Sequence, residues 1–108
     1  MLAFSMATHA FAQNQHEMNL QAQQAFAKAD AQLNKVYQKL LVTLDDESKA
    51  KLKTAQKNWI VFRDTEADFH ADNEARGGSL APLIYSSTQT DLTKERTAAL
   101  KKLLETDN

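Results

Sequence analysis

Arg63 and Asp64 stand one helical turn past Trp59, the single tryptophan of the chain, in a stretch running from Ala55-Gln56 through Phe62 to Gly77-Gly78-Ser79. An adjacent Arg-Asp pair beside a large aromatic is costly near a core unless both charges are partnered. The chemistry open to Arg63 is recognition: its planar fork of N–H donors matches carboxylates. Two readings follow. Either Arg63 reaches into a partner's cleft, or it pairs with Asp30 on an earlier helix, with Asn34 and Tyr37 completing a polar network. The second is the stronger, because a buried fork demands planar acceptors. Arg63 shares a face with Trp59, four residues before it, and Arg96 reads the same way.

His70 has Glu66 four residues before it and Glu74 four after. Three metal-capable groups on one helical stripe spread over about 12 Å, too far for one ion. A metal site would need help from another helix, such as His16, so no metal and no cofactor is expected. Nor is there a Ser–His–acid order, a phosphate-cradling glycine loop or a nucleophile elbow. Paired carboxylates occur only within an acidic run, which gives glycosidase chemistry no special backing. The chain reads as a non-enzyme.

The elements that must position these groups are helices. Two Gly and one Pro in 108 residues are too few for a loop-rich fold, and helix-favouring residues dominate. No segment alternates apolar and polar residues as a strand does. Residues 16–44 carry Leu20, Ala22, Phe26, Ala29, Leu33, Val36, Tyr37, Leu40, Leu41 and Leu44 at spacings of three and four, which mark one helical face. Such a helix is about 40 Å long. Asp45 suits the N-cap of a second helix from Asp46 to about Ala75, whose expected inner stripe is Leu52, Ala55, Trp59, Phe62, Glu66 and Phe69. Gly77-Gly78 should end it, Ser79 should cap a third helix, and Pro82 falls in that helix's first turn. The third helix offers Leu80, Leu83, Ile84, Leu92, Ala99, Leu100, Leu103 and Leu104. Its polar middle, Ser86 to Thr90, allows a kink or break near Thr90-Asp91. Short connections make neighbours antiparallel. The expected fold is all-α, an elongated antiparallel three-helix hairpin bundle in one domain, residues 13–108.

Residues 1–12 lack Lys, Arg, Asp and Glu and end in Ala10-Phe11-Ala12, the small-x-small pattern of a signal peptidase site. This reads as the remnant of a signal peptide cleaved after Ala12, with Gln13 as the mature start. The expected location is periplasmic or secreted. The chain has no cysteine, so thiol chemistry is excluded and helix packing alone must supply stability. No apolar run approaches 20 residues, and a net charge of −1 gives no reason to expect nucleic acid as partner.

The order Met18-Asn19-x-x-Ala22, Ala29-Asp30-x-x-Leu33-Asn34-x-x-Tyr37-x-x-Leu40, Ala55-Gln56-x-x-Trp59-x-x-Phe62-Arg63-Asp64, Gly77-Gly78-Ser79 and Leu92-Thr93-x-x-Arg96 resembles the LprI-like lysozyme-inhibitor family of small exported bacterial proteins. The resemblance covers about residues 17–103. It implies an all-helical envelope protein and, by the family label, inhibition of lysozyme. Family members usually carry cysteines at positions that match Gln21, Ala67 and Thr88 here, so this chain keeps the helical fingerprint without the staples.

Charge layout sharpens that expectation. Lys49, Lys51, Lys53 and Lys57 fill the first half of the second helix; Asp64, Glu66, Asp68, Asp72 and Glu74 fill the second. With Glu17 the latter make an acidic tip, and with Lys35 and Lys39 the former make a basic one. Acids at a helix C-terminus oppose its dipole, but the N-termini of helices one and three lie at that end in such a bundle. Lysozyme is a basic protein with an acidic cleft, so an acidic tip would steer it by charge. The expected contact set is Asp68, Asp72, Glu74 and the turn Arg76-Gly77-Gly78-Ser79, with lysozyme or another basic protein as partner. The plainer reading is a solvated face and an ordinary interhelical turn. The alternative function is a structural or stress-related envelope bundle that self-associates or holds a different partner.

Overall fold

The computed structural model describes residues 2–106, with side chains described from Ala10 onward, so most of the expected leader lies outside the described side chains. Three helices follow one another: α1 (Leu2–Leu41), α2 (Asp46–Ala75) and α3 (Ala81–Thr106). Among the described residues there is no strand, and the fold is the all-α bundle expected. It is a rod, 68 × 22 × 17 Å. The third helix is central and packs along both α1 and α2.

Each helix end has a local cause. At the end of α1 the Thr43 hydroxyl donates to the Leu40 carbonyl at 2.7 Å, and the Thr43 and Leu44 amides fall to carbonyls three residues back. Asp45 caps α2, its carboxylate accepting the Ser48 amide at 2.8 Å. At the other end of α2 the left-handed position is taken by Arg76 (φ 42°), followed by Gly77 (φ 74°). Gly78 serves differently: its amide bonds the Ala75 carbonyl, and a Cβ there would sit 2.8 Å from that oxygen. Ser79 was expected to cap α3, but the helix starts at Ala81, and the Leu80 carbonyl accepts the first bond, from the Ile84 amide. Pro82 remains in the first turn, where its missing N–H does no harm.

The core changes character along the rod. At one end Leu33, Val36 and Leu40 of α1 meet Leu100 of α3, with Tyr37, Leu44, Leu52, Trp59 and Leu104 packed against them. Toward the other end the buried positions of α3 are Ser86, Gln89, Thr90, Thr93 and Thr97, facing Ala29 of α1 and Ala67 and Ala71 of α2. The Ser/Thr-rich middle of α3 is therefore its buried face, and no break occurs at Thr90-Asp91. The hydroxyls of Thr88, Thr90 and Thr97 return to carbonyls four residues back, which satisfies them inside the helix.

That composition corrects the expected inner stripe of α2. Ala55, Phe62 and Phe69 are exposed; the inward residues are Leu52, Gln56, Trp59, Arg63, Ala67 and Ala71. Apart from Leu52 and Trp59, the inner stripe is shifted by one or two residues from the expected one. Alanines let α2 approach a polar, small-residue face of α3, where phenylalanines would hold the axes apart. Leu80, expected within the third helix, lies just before α3, and it and Leu103 are half exposed.

Candidate functional site

The polar group around Arg63 spans all three helices. Its side chain is almost fully buried, with Nε donating to Asp64 Oδ1 at 2.8 Å and Nη1 to Asp30 Oδ1 at 3.2 Å. Gln89 of α3 donates to the same Asp64 oxygen at 3.0 Å. The guanidinium carbon lies 4.8 Å from the Phe26 ring centroid and 5.4 Å from that of Trp59. A desolvated cation is thus met by two carboxylates and two aromatic faces, the partners it needs. Burial by itself would raise the Asp64 pKa. Hydrogen bonds from Arg63 and Gln89, with the Arg63 charge, outweigh it and hold the carboxyl below the usual carboxylate range.

Arg96 forms a second tie. Its Nε donates to Gln56 Oε1 at 3.0 Å, and its guanidinium carbon lies 5.8 Å from the Trp59 centroid. Burial presses its pKa downward, yet Arg stays charged at neutral pH. Trp59 therefore carries a guanidinium from its own helix and one from α3. Of the expected network, Asp30, Trp59, Arg63, Asp64 and Arg96 are brought together. Asn34 and Tyr37 are not: Asn34 is exposed, and Tyr37 packs against the leucine core. Sequence reading missed Phe26, Gln56 and Gln89. Their spacing carried a signal, since Phe26 lies one turn before Asp30 and Gln56 one turn before Trp59.

The surface residues sort differently. Gln15 Nε2 donates to the Ser79 carbonyl at 3.0 Å, which sets α1 level with the α2–α3 turn at residue 15. Glu17 and the acids of α2 therefore lie together at the α2–α3 turn, where the three-helix part of the rod ends and α1 runs on alone toward Leu2. Asp68, Asp72, Glu74, Arg76, Gly77, Gly78 and Ser79 are all exposed there. They do not form a single face. Asp68 lines a trough where all three helices meet, with Gln23 and Phe26 of α1 and Tyr85 of α3, whereas Glu74 lines another between α2 and α3 with Leu83, Ile84 and Asp91. The acids ring the end of α2. His70 sits between carboxylates, Nε2 3.3 Å from Glu66 and Nδ1 3.8 Å from Glu74. Among the described residues no cluster of three or more His, Cys, Asp or Glu could hold a metal ion.

The buried Arg63 tie, the Trp59 stack and the Gly77-Gly78 turn stand where the sequence fingerprint put them, and comparison with known proteins decides what they belong to. The profile of the family described as lysozyme inhibitor LprI matches residues 5–100. The chain belongs to the LprI family. A relative from Rhizobium meliloti (strain 1021), named uncharacterized protein R02472, is 36% identical over 105 residues, covering 85% of this chain and 75% of the relative. No solved structure matches this chain. Of Gln21, Ala67 and Thr88, Ala67 is wholly buried, Thr88 is half-buried and Gln21 is exposed. In this LprI protein the Arg63 group and the leucine core fasten the helices without any disulfide.

Proposed function

We propose that this protein is an exported, non-enzymatic binding protein that inhibits lysozyme by occluding it, with the acidic α2–α3 turn region presented to the basic enzyme. The observation that carries the reading is membership of the LprI family together with the charge of that region. Between Asn58 and Ala75 the helix has five acids, and its one cation, Arg63, is turned inward and spent on Asp30 and Asp64. The outward field of the tip is therefore negative, which favours encounter with a cationic partner. Asp68, Asp72 and Glu74 supply the field. Arg76, on the projecting turn with Gly77, Gly78 and Ser79, is the cation placed to enter an acidic cleft.

Export follows the same reading. The segment ending Ala10-Phe11-Ala12 is exposed where it is described, and Gln15, beyond it, is tied by a hydrogen bond to the α2–α3 turn. Cleavage after Ala12 would leave the bundle whole.

The test is lysis of cell walls by lysozyme against increasing amounts of the full chain, at low and moderate salt. Dose-dependent inhibition is expected, weakening as salt rises. It should weaken again in the Asp68→Asn, Asp72→Asn, Glu74→Gln triple variant. Absence of inhibition at high micromolar concentration of folded protein sinks the lysozyme reading.

A further inference from the structure

The acidic ring explains how a basic partner is drawn in, but charge on an exposed rim contributes little to how firmly it is held. The outer surface of α2 supplies a second element. Val61 is 60% exposed, Phe62 47% and Phe69 60%. Residues 61, 65 and 69 follow at i, i+4 and i+8, and residues 62, 65 and 69 at spacings of three and four, so the three apolar side chains surround Thr65 on one stretch of helix. The Thr65 hydroxyl donates to the carbonyls of Val61 and Phe62, at 2.8 and 3.1 Å, so its proton is already committed within the helix. The patch runs about 12 Å along the axis.

None of the three is needed inside. The inward face of α2 is complete with Trp59, Arg63, Ala67 and Ala71. Two exposed phenylalanines seven residues apart cost solubility; Phe69 meets the His70 ring edge-on, 5.7 Å between centroids, and neither phenylalanine is buried in the core. Their rim says what covers them. Glu66, 3.3 Å from His70, and Asp72 lie three residues to either side of Phe69, and Asp68 is adjacent; Lys57, one turn before Val61, and Arg76, two turns after Phe69, carry the opposite sign at the edges. A second copy of this face would bring like charges together. A cationic protein surface with a shallow apolar spot fits both features.

We infer that Val61, Phe62 and Phe69 form the anchor on which a basic protein partner docks, with Glu66, Asp68 and Asp72 as its charged rim. This rests on the lysozyme reading above and deepens it: the rim sets association and the aromatic anchor sets residence. Contact then extends along the side of α2, beyond the tip and the turn.

The experiment uses the full chain, its Phe62→Gln/Phe69→Gln double variant, and its Glu66→Gln/Asp72→Asn double variant. Each is first checked for unchanged helical circular dichroism and thermal midpoint. Binding is measured to immobilised lysozyme and to cytochrome c as a second cationic protein. The aromatic variant should bind at least tenfold more weakly through faster dissociation, with its salt dependence kept. The charge variant should associate more slowly, with a flatter salt dependence. If the wild-type chain inhibits lysozyme and the aromatic variant binds it equally well, the anchor is wrong and the lysozyme reading stands. If the wild-type chain binds neither protein, both fall. Sedimentation of the free protein covers the remaining occupant: a dimer abolished by the aromatic substitutions would place a second copy on the patch and overturn the inference.

Discussion

Arg63 of α2 reaches across the bundle to Asp30 of α1, Nη1 to Oδ1 at 3.2 Å, while its Nε holds Asp64 on its own helix at 2.8 Å. The contact matters because α3 packs along both other helices and so carries most of the architecture. In the half of the rod that lacks leucine packing, this one guanidinium joins the outer two helices directly and, through Gln89 on Asp64, ties in the third.

Removing it should therefore cost more than an ordinary surface pair. Arg63→Met leaves Asp30 and Asp64 facing each other without their cation, and a loss of about 2–3 kcal/mol is expected, below the full cost of a buried pair because both acids keep some solvent. Arg63→Lys should recover only part of it, since an ammonium cannot hold two carboxylates in a planar fork. Urea unfolding followed by circular dichroism measures both. Equal stability of Arg63→Met and wild type would show that the tie contributes nothing.

The same group should show in acid. The Asp64 carboxyl is held below its ordinary pKa. A depressed carboxylate contributes stability that is complete above its unfolded pKa and is lost as pH falls through the folded value. The thermal midpoint should accordingly be insensitive to this group above about pH 5 and fall below about pH 4. Asp64→Asn should be less stable at neutral pH and show a shallower acid slope. Parallel acid curves for the two proteins would contradict the assignment.

Thr93 offers a gain. It is fully buried at the centre of α3, and its hydroxyl has no hydrogen-bond partner, unlike those of Thr90 and Thr97. Thr93→Val keeps the shape and removes the orphaned polar atom, so stability should rise by about 1 kcal/mol. A lower thermal midpoint would mean that the hydroxyl is satisfied in solution.

The α2–α3 turn separates two backbone causes. Arg76→Gly relieves a left-handed non-glycine residue and should stabilise by up to about 1 kcal/mol. Gly78→Ala should destabilise by about as much or more, because the new Cβ meets the Ala75 carbonyl oxygen. Differential scanning calorimetry of the pair checks the opposite signs. If inhibition falls in Arg76→Gly while stability rises, the cation acts on the partner and not on the fold.

Removal of residues 1–12 should leave the thermal midpoint within a few degrees of the full chain, since the described part of that segment, Ala10 to Ala12, is exposed. A large drop would show that the segment belongs to the bundle.

Much of this was legible in the chain itself. Apolar spacing at threes and fours, Asp45, the two glycines and Pro82 mark three helices and their turns, because capping and left-handed turn geometry are local properties of a few residues. The same holds for Arg63: a charge beside Trp59 must find an acid, and Asp30 shares its run with Leu33, which is buried. Tertiary structure alone decided which face of α2 turns inward. Periodicity could not separate Phe62 and Phe69 from Arg63, Ala67 and Ala71, since the two stripes differ by only one or two residues and both repeat helically. The choice was made by α3, whose buried Ser, Thr and Gln accept alanine and a hydrogen-bonded guanidinium but leave no room for phenylalanine. The two aromatic rings on the surface of the protein are the consequence of that packing.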